Sequence, residues 1–333
     1  MKKLNLNGIW QMEGGGFNCQ GNVPGSVYSF LLNNNLMPDP YFRDNELEAL
    51  KLLENDFVFS RKFNVEKTDN EMLLHCDGLD TLCDIFINNQ HIAHTDNMHR
   101  SYEFDITTAL KSGENEIKLI FASPNKFIRE MQKNDPVCGN NDTLKGHPHL
   151  RKAACMMGWD WGPRLPDAGV WKDIYILTVD SDRISDIHIT QRHCDGKVFV
   201  TPTVKTLNNT ADIVVKVTAP DNTVFALPAN EESEIPDAKL WWPNGFGEQS
   251  LYTFDIELLE NATVVDRASK RIGLRELKLI REKDQWGESF CHEINGIRFF
   301  AMGADYIPED NLMSRYSKER TYNLMKQCRD CNF

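Results

Sequence analysis

No apolar run in the chain approaches the length of a membrane span, so no transmembrane helix is expected. Positive charge is also scarce: 37 Lys and Arg stand against 49 Asp and Glu, a formal net charge of −12. Phosphate backbones demand clustered cations, and this balance argues against a nucleic-acid partner. The start, Met1-Lys2-Lys3-Leu4-Asn5-Leu6-Asn7, is too polar for the apolar core of a signal peptide. Nine cysteines make an odd set without tandem spacing, which speaks against a disulfide framework and favours a reducing, cytoplasmic location. Metal-ligand spacing is missing too. Cys138, His147, His149 and Cys155 share one long loop, but only Pro148 separates the histidines, where zinc motifs commonly leave about three to five residues. Cys328-Arg329-Asp330-Cys331 has C-x-x-C spacing without a thioredoxin-like context. No metal and no cofactor is expected, and no internal repeat or low-complexity tract is present.

What the sequence does contain is short alternating segments separated by turns, the pattern of all-β sandwiches. Length allows two or three domains, and 41% hydrophobic with 26% charged residues is ordinary for a globular protein. Cys83, Ile85 and Ile87 alternate with Asp84 and Phe86 before an Asn88-Asn89 turn. Ile117, Leu119 and Phe121 do the same, as do Ile187 and Ile189, then Ile213, Val215 and Val217, and Tyr252, Phe254, Ile256 and Leu258. Helical spacing is confined to a short stretch near 26–33 and a C-terminal helix starting at the N-cap Ser317. Glu231-Glu232-Ser233-Glu234 reads as a solvated loop. A hairpin turn at Asn295-Gly296 leads into an expected strand over 298–302. Domain limits fall at 1–179, 180–275 and 276–333.

The most informative stretch is Gly158-Trp159-Asp160-Trp161-Gly162-Pro163. Two glycines and a proline set its backbone apart from regular structure, which predicts a loop. Indole faces stack on the C–H face of a pyranose, and a carboxylate accepts bonds from paired hydroxyls. The competing reading makes both tryptophans core fillers and Asp160 a turn cap.

The run from Met157 to Ile174 resembles the sugar-binding domain of β-mannosidases in the glycoside hydrolase 2 clan. Further segments resemble the clan in order: Leu6-Asn7-Gly8-Ile9-Trp10, Val23-Pro24-Gly25-Ser26-Val27, Asp56-Phe57-Val58-Phe59-Ser60-Arg61, Gly78-Leu79-Asp80-Thr81, Leu240-Trp241-Trp242-Pro243-Asn244-Gly245 and Ile272-Gly273-Leu274-Arg275. The resemblance implies a mainly β chain: a jelly-roll sugar-binding domain, an immunoglobulin-like sandwich, and then the first βα unit of a truncated TIM barrel. It implies no catalytic residue in this chain, because the family's two glutamates lie on barrel strands 4 and 7. Retaining hydrolysis holds two carboxyl groups roughly 5–5.5 Å apart. The chain therefore resembles an N-terminal portion, inactive by itself.

Carried onto this sequence, substrate binding falls to Asp160, with Trp159 and Trp161 as walls. Asp305 follows the expected barrel strand, where the family commonly has Asn-Trp in place of Asp305-Tyr306. The implied activity is removal of terminal β-linked mannose from oligosaccharides by a retaining exo-β-mannosidase. Alternatives are a β-galactosidase or β-glucuronidase of the clan, a stand-alone carbohydrate-binding module, or a structural sandwich. The expected partner is a β-mannoside oligosaccharide, with neither nucleic acid nor membrane, and with homodimerisation through the exposed barrel segment as an option. Phe299, Phe300, Tyr322 and Met325 are the apolar side chains expected to lack a cover there.

Overall fold

The computed structural model describes residues 1–333 and is mainly β, with 44% strand and 14% helix. It divides into two compact units, Lys2–Val179 with Asp305–Phe333, and Asp180–Ala304 with Met1. The stretch 276–333 is thus shared between them. No helix is long and apolar enough to cross a membrane.

The first unit is a sandwich of antiparallel sheets. Four strands run in the order Lys2–Asn5, Ile174–Val179, Glu71–Cys76 and Tyr102–Asp105. Six run in the order Phe17–Val23, Gly8–Gly14, Phe57–Val65, Gly113–Phe121, Cys83–Ile87 and Gln90–Thr95. Because side chains alternate along a strand, Ile117, Leu119 and Phe121 all point one way. They join Phe57, Phe59, Ile85 and Ile87 in a core completed by Leu74, Cys76, Ile174 and Ile176 from the other sheet. The Asn88-Asn89 turn has φ of 50° and 65°, the left-handed pair that asparagine tolerates and that suits strand twist.

Helix α1, Val27–Asn33, is capped by Ser26, whose hydroxyl accepts from the Ser29 amide while the Ser29 hydroxyl accepts from the Ser26 amide. Two helices escape the periodicity reading: α2, Glu46–Leu52, and α3, Pro124–Asn134. For α3 a local signal exists, since Ser123 caps the Lys126 amide at 3.1 Å and Pro124 opens the first turn. Helix α4, Lys318–Asp330, begins at the Ser317 cap as expected.

The second unit pairs a three-stranded sheet, Ile184–Cys194, Lys197–Thr206 and Ser233–Glu234, with a four-stranded one. The latter runs Val224–Leu227, Asp212–Thr218, Tyr252–Glu260 and Thr263–Ile272. Val198, Val200, Val215, Val217, Tyr252, Phe254 and Ile256 fill its core. The acidic run is only partly a loop: Ser233–Glu234 is an edge strand, and Lys197 Nζ lies 2.9 Å from the Glu234 carboxylate.

An antiparallel ribbon of Leu277–Ile280, Cys291–Ile294 and Ile297–Phe299 follows. The strand expected over 298–302 stops at Phe299, because beyond it no neighbouring strand receives its backbone groups. Residues 300–308 are irregular. Phe300 is 81% exposed, and Tyr322 and Met325 on α4 are exposed as well, whereas Phe299 is half-buried with its ring 5.3 Å from that of Phe246.

One buried ionic cluster holds together the minor strands of the first unit. Lys152 Nζ donates to the Asp80 carboxylate and, at 2.6 Å, to the Asp167 backbone carbonyl. Asp80 and the residues beside Asp167 belong to the three-stranded sheet Gly25–Ser26, Gly169–Val170 and Leu79–Asp80. Asp167 Oδ1 accepts from the amides of Tyr28 (3.1 Å) and Ala168 (2.9 Å), while Oδ2 has no partner. Burial pushes the Asp167 carboxyl up to about 7. Between the ordinary carboxyl value and 7 the folded state therefore holds a proton that the unfolded chain has lost, and stability falls as pH rises through that window. Asp167→Asn keeps the acceptor and cannot ionise. Its stability relative to wild type is expected to rise by on the order of 3–4 kcal/mol between pH 4 and 8 in urea melts. A pH-independent difference would show that Asp167 titrates normally.

Candidate functional site

Trp159, Asp160 and Trp161 sit on the tip of a β-hairpin, not on an irregular loop. Met157–Trp159 pairs with Gly162–Arg164, and Asp160-Trp161 is the two-residue turn. Gly158 is indispensable to this course. Its φ is +103°, and a Cβ there would lie 2.5 Å from Arg164 Cγ and 2.8 Å from the Asp142 carbonyl. Gly162 has ordinary φ, so its value is space instead of conformation.

A turn this tight leaves its side chains pointing into solvent. Trp159 and Trp161 keep 38% and 36% of their surfaces exposed, and Asp160 is exposed between them. Neither tryptophan is a core filler; that place belongs to Trp10, whose indole donates to the Leu6 carbonyl at 2.8 Å. No hydrogen bond or ion pair joins Asp160 to the protein, so its carboxylate caps no turn.

Three-residue strands make a marginal hairpin by themselves, so outside supports decide its position. Arg164 holds one side: its backbone amide and Nε lie 3.3 Å and 3.1 Å from the Glu46 carboxylate on α2, and its Nη2 also donates to Glu46. The long loop reaches the other strand through the Leu144 amide, 2.9 Å from the Met157 carbonyl. His147 and His149 close that loop on Thr143 (3.1 Å) and the Asp135 carbonyl (2.8 Å).

Asp305 stands apart. It is exposed on the irregular segment before α4, and no hydrogen bond or ion pair joins it to the hairpin. Five residues on, the chain is firmly anchored. Asp310 is buried, accepts from the Tyr41 hydroxyl at 2.5 Å, and meets Arg320 (2.9 Å) and Arg315 (3.2 Å). Burial, then the bond to Asp310, raises the Tyr41 phenol far above its usual range. Asn311 and Leu312 follow into the interior of the unit. Sequence reasoning missed Tyr41, Glu46, Asp310 and Asn311, whose partners are distant in the chain.

Gly158→Ala is expected to destabilise the first unit by about 2 kcal/mol or more, from positive-φ strain plus collision with a backbone carbonyl. Thermal melts of the variant check this. A Tm within a degree of wild type would mean the hairpin has another course.

Two consecutive family models match the chain: "Glycosyl hydrolase 2 galactose-binding domain-like" over residues 10–172, and "Glycosyl hydrolases family 2" over 173–275. Among similar proteins, Beta-mannosidase B of Emericella nidulans is 31% identical over 318 residues, 90% of this chain and 37% of that protein. Beta-mannosidase B of Aspergillus terreus is 30% identical over 319 residues, with the same shares. The chain thus spans little more than a third of the length of these relatives. Among solved structures, the β-D-mannosidase of Dictyoglomus thermophilum superposes with a TM-score of 0.90 at 31% identity, covering 98% of this chain and 42% of that one. An exo-chitosanase from Amycolatopsis orientalis, at 18% identity, covering 98% of this chain and 39% of that one, with a TM-score of 0.69, shares the fold. The chain belongs to glycosyl hydrolase family 2, carrying its galactose-binding-like and immunoglobulin-like N-terminal domains.

Proposed function

We propose that this chain is the sugar-binding and immunoglobulin-like part of a retaining exo-β-mannosidase that removes terminal β-linked mannose from oligosaccharides. The observation that carries the reading is Asp160: a carboxyl side chain offered to solvent between two half-open indoles on a braced hairpin, with no protein partner. A carboxylate acting as a turn cap would accept hydrogen bonds from backbone amides. The β-mannosidase identity of the relatives supports mannose as the sugar.

In this reading residues 276–333 open the catalytic barrel, and the acid/base and nucleophilic glutamates are supplied by chain outside these residues. Asp305, exposed where the barrel would begin, is a second contact candidate. The exposed Phe300, Met302, Tyr322 and Met325 would then be covered by the remaining barrel, with a second copy of the chain as the other possible cover.

Within the active protein the Asp160 carboxylate bonds a sugar hydroxyl, a charge-assisted interaction of roughly 1.5–3 kcal/mol. Much of it is expressed as the ring distorts toward the transition state. Asp160→Asn in the full-length enzyme is therefore expected to lower kcat/KM on a nitrophenyl β-mannoside by about 10- to 150-fold with Tm unchanged. Lost stability with kcat/KM intact would return Asp160 to a structural role. The 333-residue chain assayed by itself should turn over this substrate no faster than buffer. Turnover that a substitution within these residues abolishes would sink the division of labour.

A further inference from the structure

We infer that Asn311 is the positioning residue of the Trp159-Asp160-Trp161 hairpin, gripping both of its sides with one side-chain amide. The inference rests on the reading of Asp160 as a sugar contact. Asn311 Nδ2 donates to the Cys155 carbonyl at 2.9 Å, just before the first strand, and to the Pro163 carbonyl at 2.7 Å in the second. Its two amide protons thus bridge the base of the hairpin where the strands are too short to hold their own register.

Gly162 makes room for this grip. A Cβ at Gly162 would meet Asn311 Oδ1 at 3.3 Å and Nδ2 at 3.6 Å, so the amide occupies the space a side chain there would enter. That gives the second glycine of the Trp-Asp-Trp stretch a purpose its ordinary φ does not explain.

Asn311 is itself immobilised. It is 3% exposed, its backbone amide donates to the Tyr41 hydroxyl at 3.0 Å, and the same hydroxyl donates to Asp310. Leu312, next in line, is fully buried in the sandwich core. The grip therefore transmits the rigidity of the core to the turn. The segment Asp305–Phe333 consequently sets the aim of Asp160, although it supplies no side chain at the hairpin tip.

The test has two arms in the full-length protein. In the first, Asn311→Ala and Gly162→Ala are compared with wild type by hydrogen–deuterium exchange. Both variants should speed exchange of the 157–164 amides by about tenfold, with the core strands unchanged. Unaltered hairpin exchange in both variants overturns the inference, whatever the activity. In the second arm, Asn311→Ala and Asp160→Asn are combined in a double-mutant cycle on a nitrophenyl β-mannoside. Asn311→Ala should lower kcat/KM by about 5- to 30-fold, and the double variant should lose no more than Asp160→Asn does. Penalties that multiply would show that Asn311 does not act through Asp160, and overturn the positioning role. A silent Asp160→Asn with faster hairpin exchange would instead defeat the sugar-contact reading and leave the grip standing.

Discussion

The first unit depends on one buried cation. The Lys152 side chain is only 1% exposed, so its amino group depends on the Asp80 carboxylate and the Asp167 carbonyl staying where they are. Removing one partner of such a pair typically costs about 3–5 kcal/mol, because the other charge is left stranded. The constraint reaches outward in sequence. Lys152 lies five residues before the hairpin, and Asp167 three residues after it. Both roots of the Trp-Asp-Trp hairpin are therefore fixed to the minor sheet that joins Gly25–Ser26, Gly169–Val170 and Leu79–Asp80. The tip is left exposed on a rigid base, the arrangement that the proposed sugar contact requires.

From that base outward, supports come from chain segments far apart in sequence. Glu46 arrives on α2, Leu144 on the long loop, and Asn311 on the segment that returns from Asp305. Each touches a backbone group or Arg164, and none touches Asp160. The division between fixed frame and free carboxylate is what distinguishes a presented side chain from one that happens to be exposed.

Much of this was legible in the sequence. The alternation of Tyr252, Phe254, Ile256 and Leu258 with polar residues, and the looser one of Ile117, Leu119 and Phe121, fit a strand with one buried face, and the structure adopts it. The Asn88-Asn89 and Asn295-Gly296 turns were equally plain, since left-handed φ selects those residues. The Trp-Asp-Trp stretch announced itself through its composition, though its flanking glycines suggested a loop where backbone pairing makes a hairpin. Less was legible where partners are distant. Nothing local marks Asn311 as a brace, because Cys155 and Pro163 are about 150 positions away in the chain. The strand expected over 298–302 had the right residues and no neighbour to pair with, and propensity cannot replace a missing hydrogen-bonding partner.

The central claim is that the hairpin tip is a sugar-contacting surface. Fluorine NMR of the full-length protein labelled with 5-fluorotryptophan, titrated with methyl β-mannoside, tests it most directly. Resonances of Trp159 and Trp161, assigned by their phenylalanine variants, should shift along one saturation curve while those of buried Trp10 and of Trp171 stay in place. Saturating ligand that moves neither hairpin resonance would contradict the account.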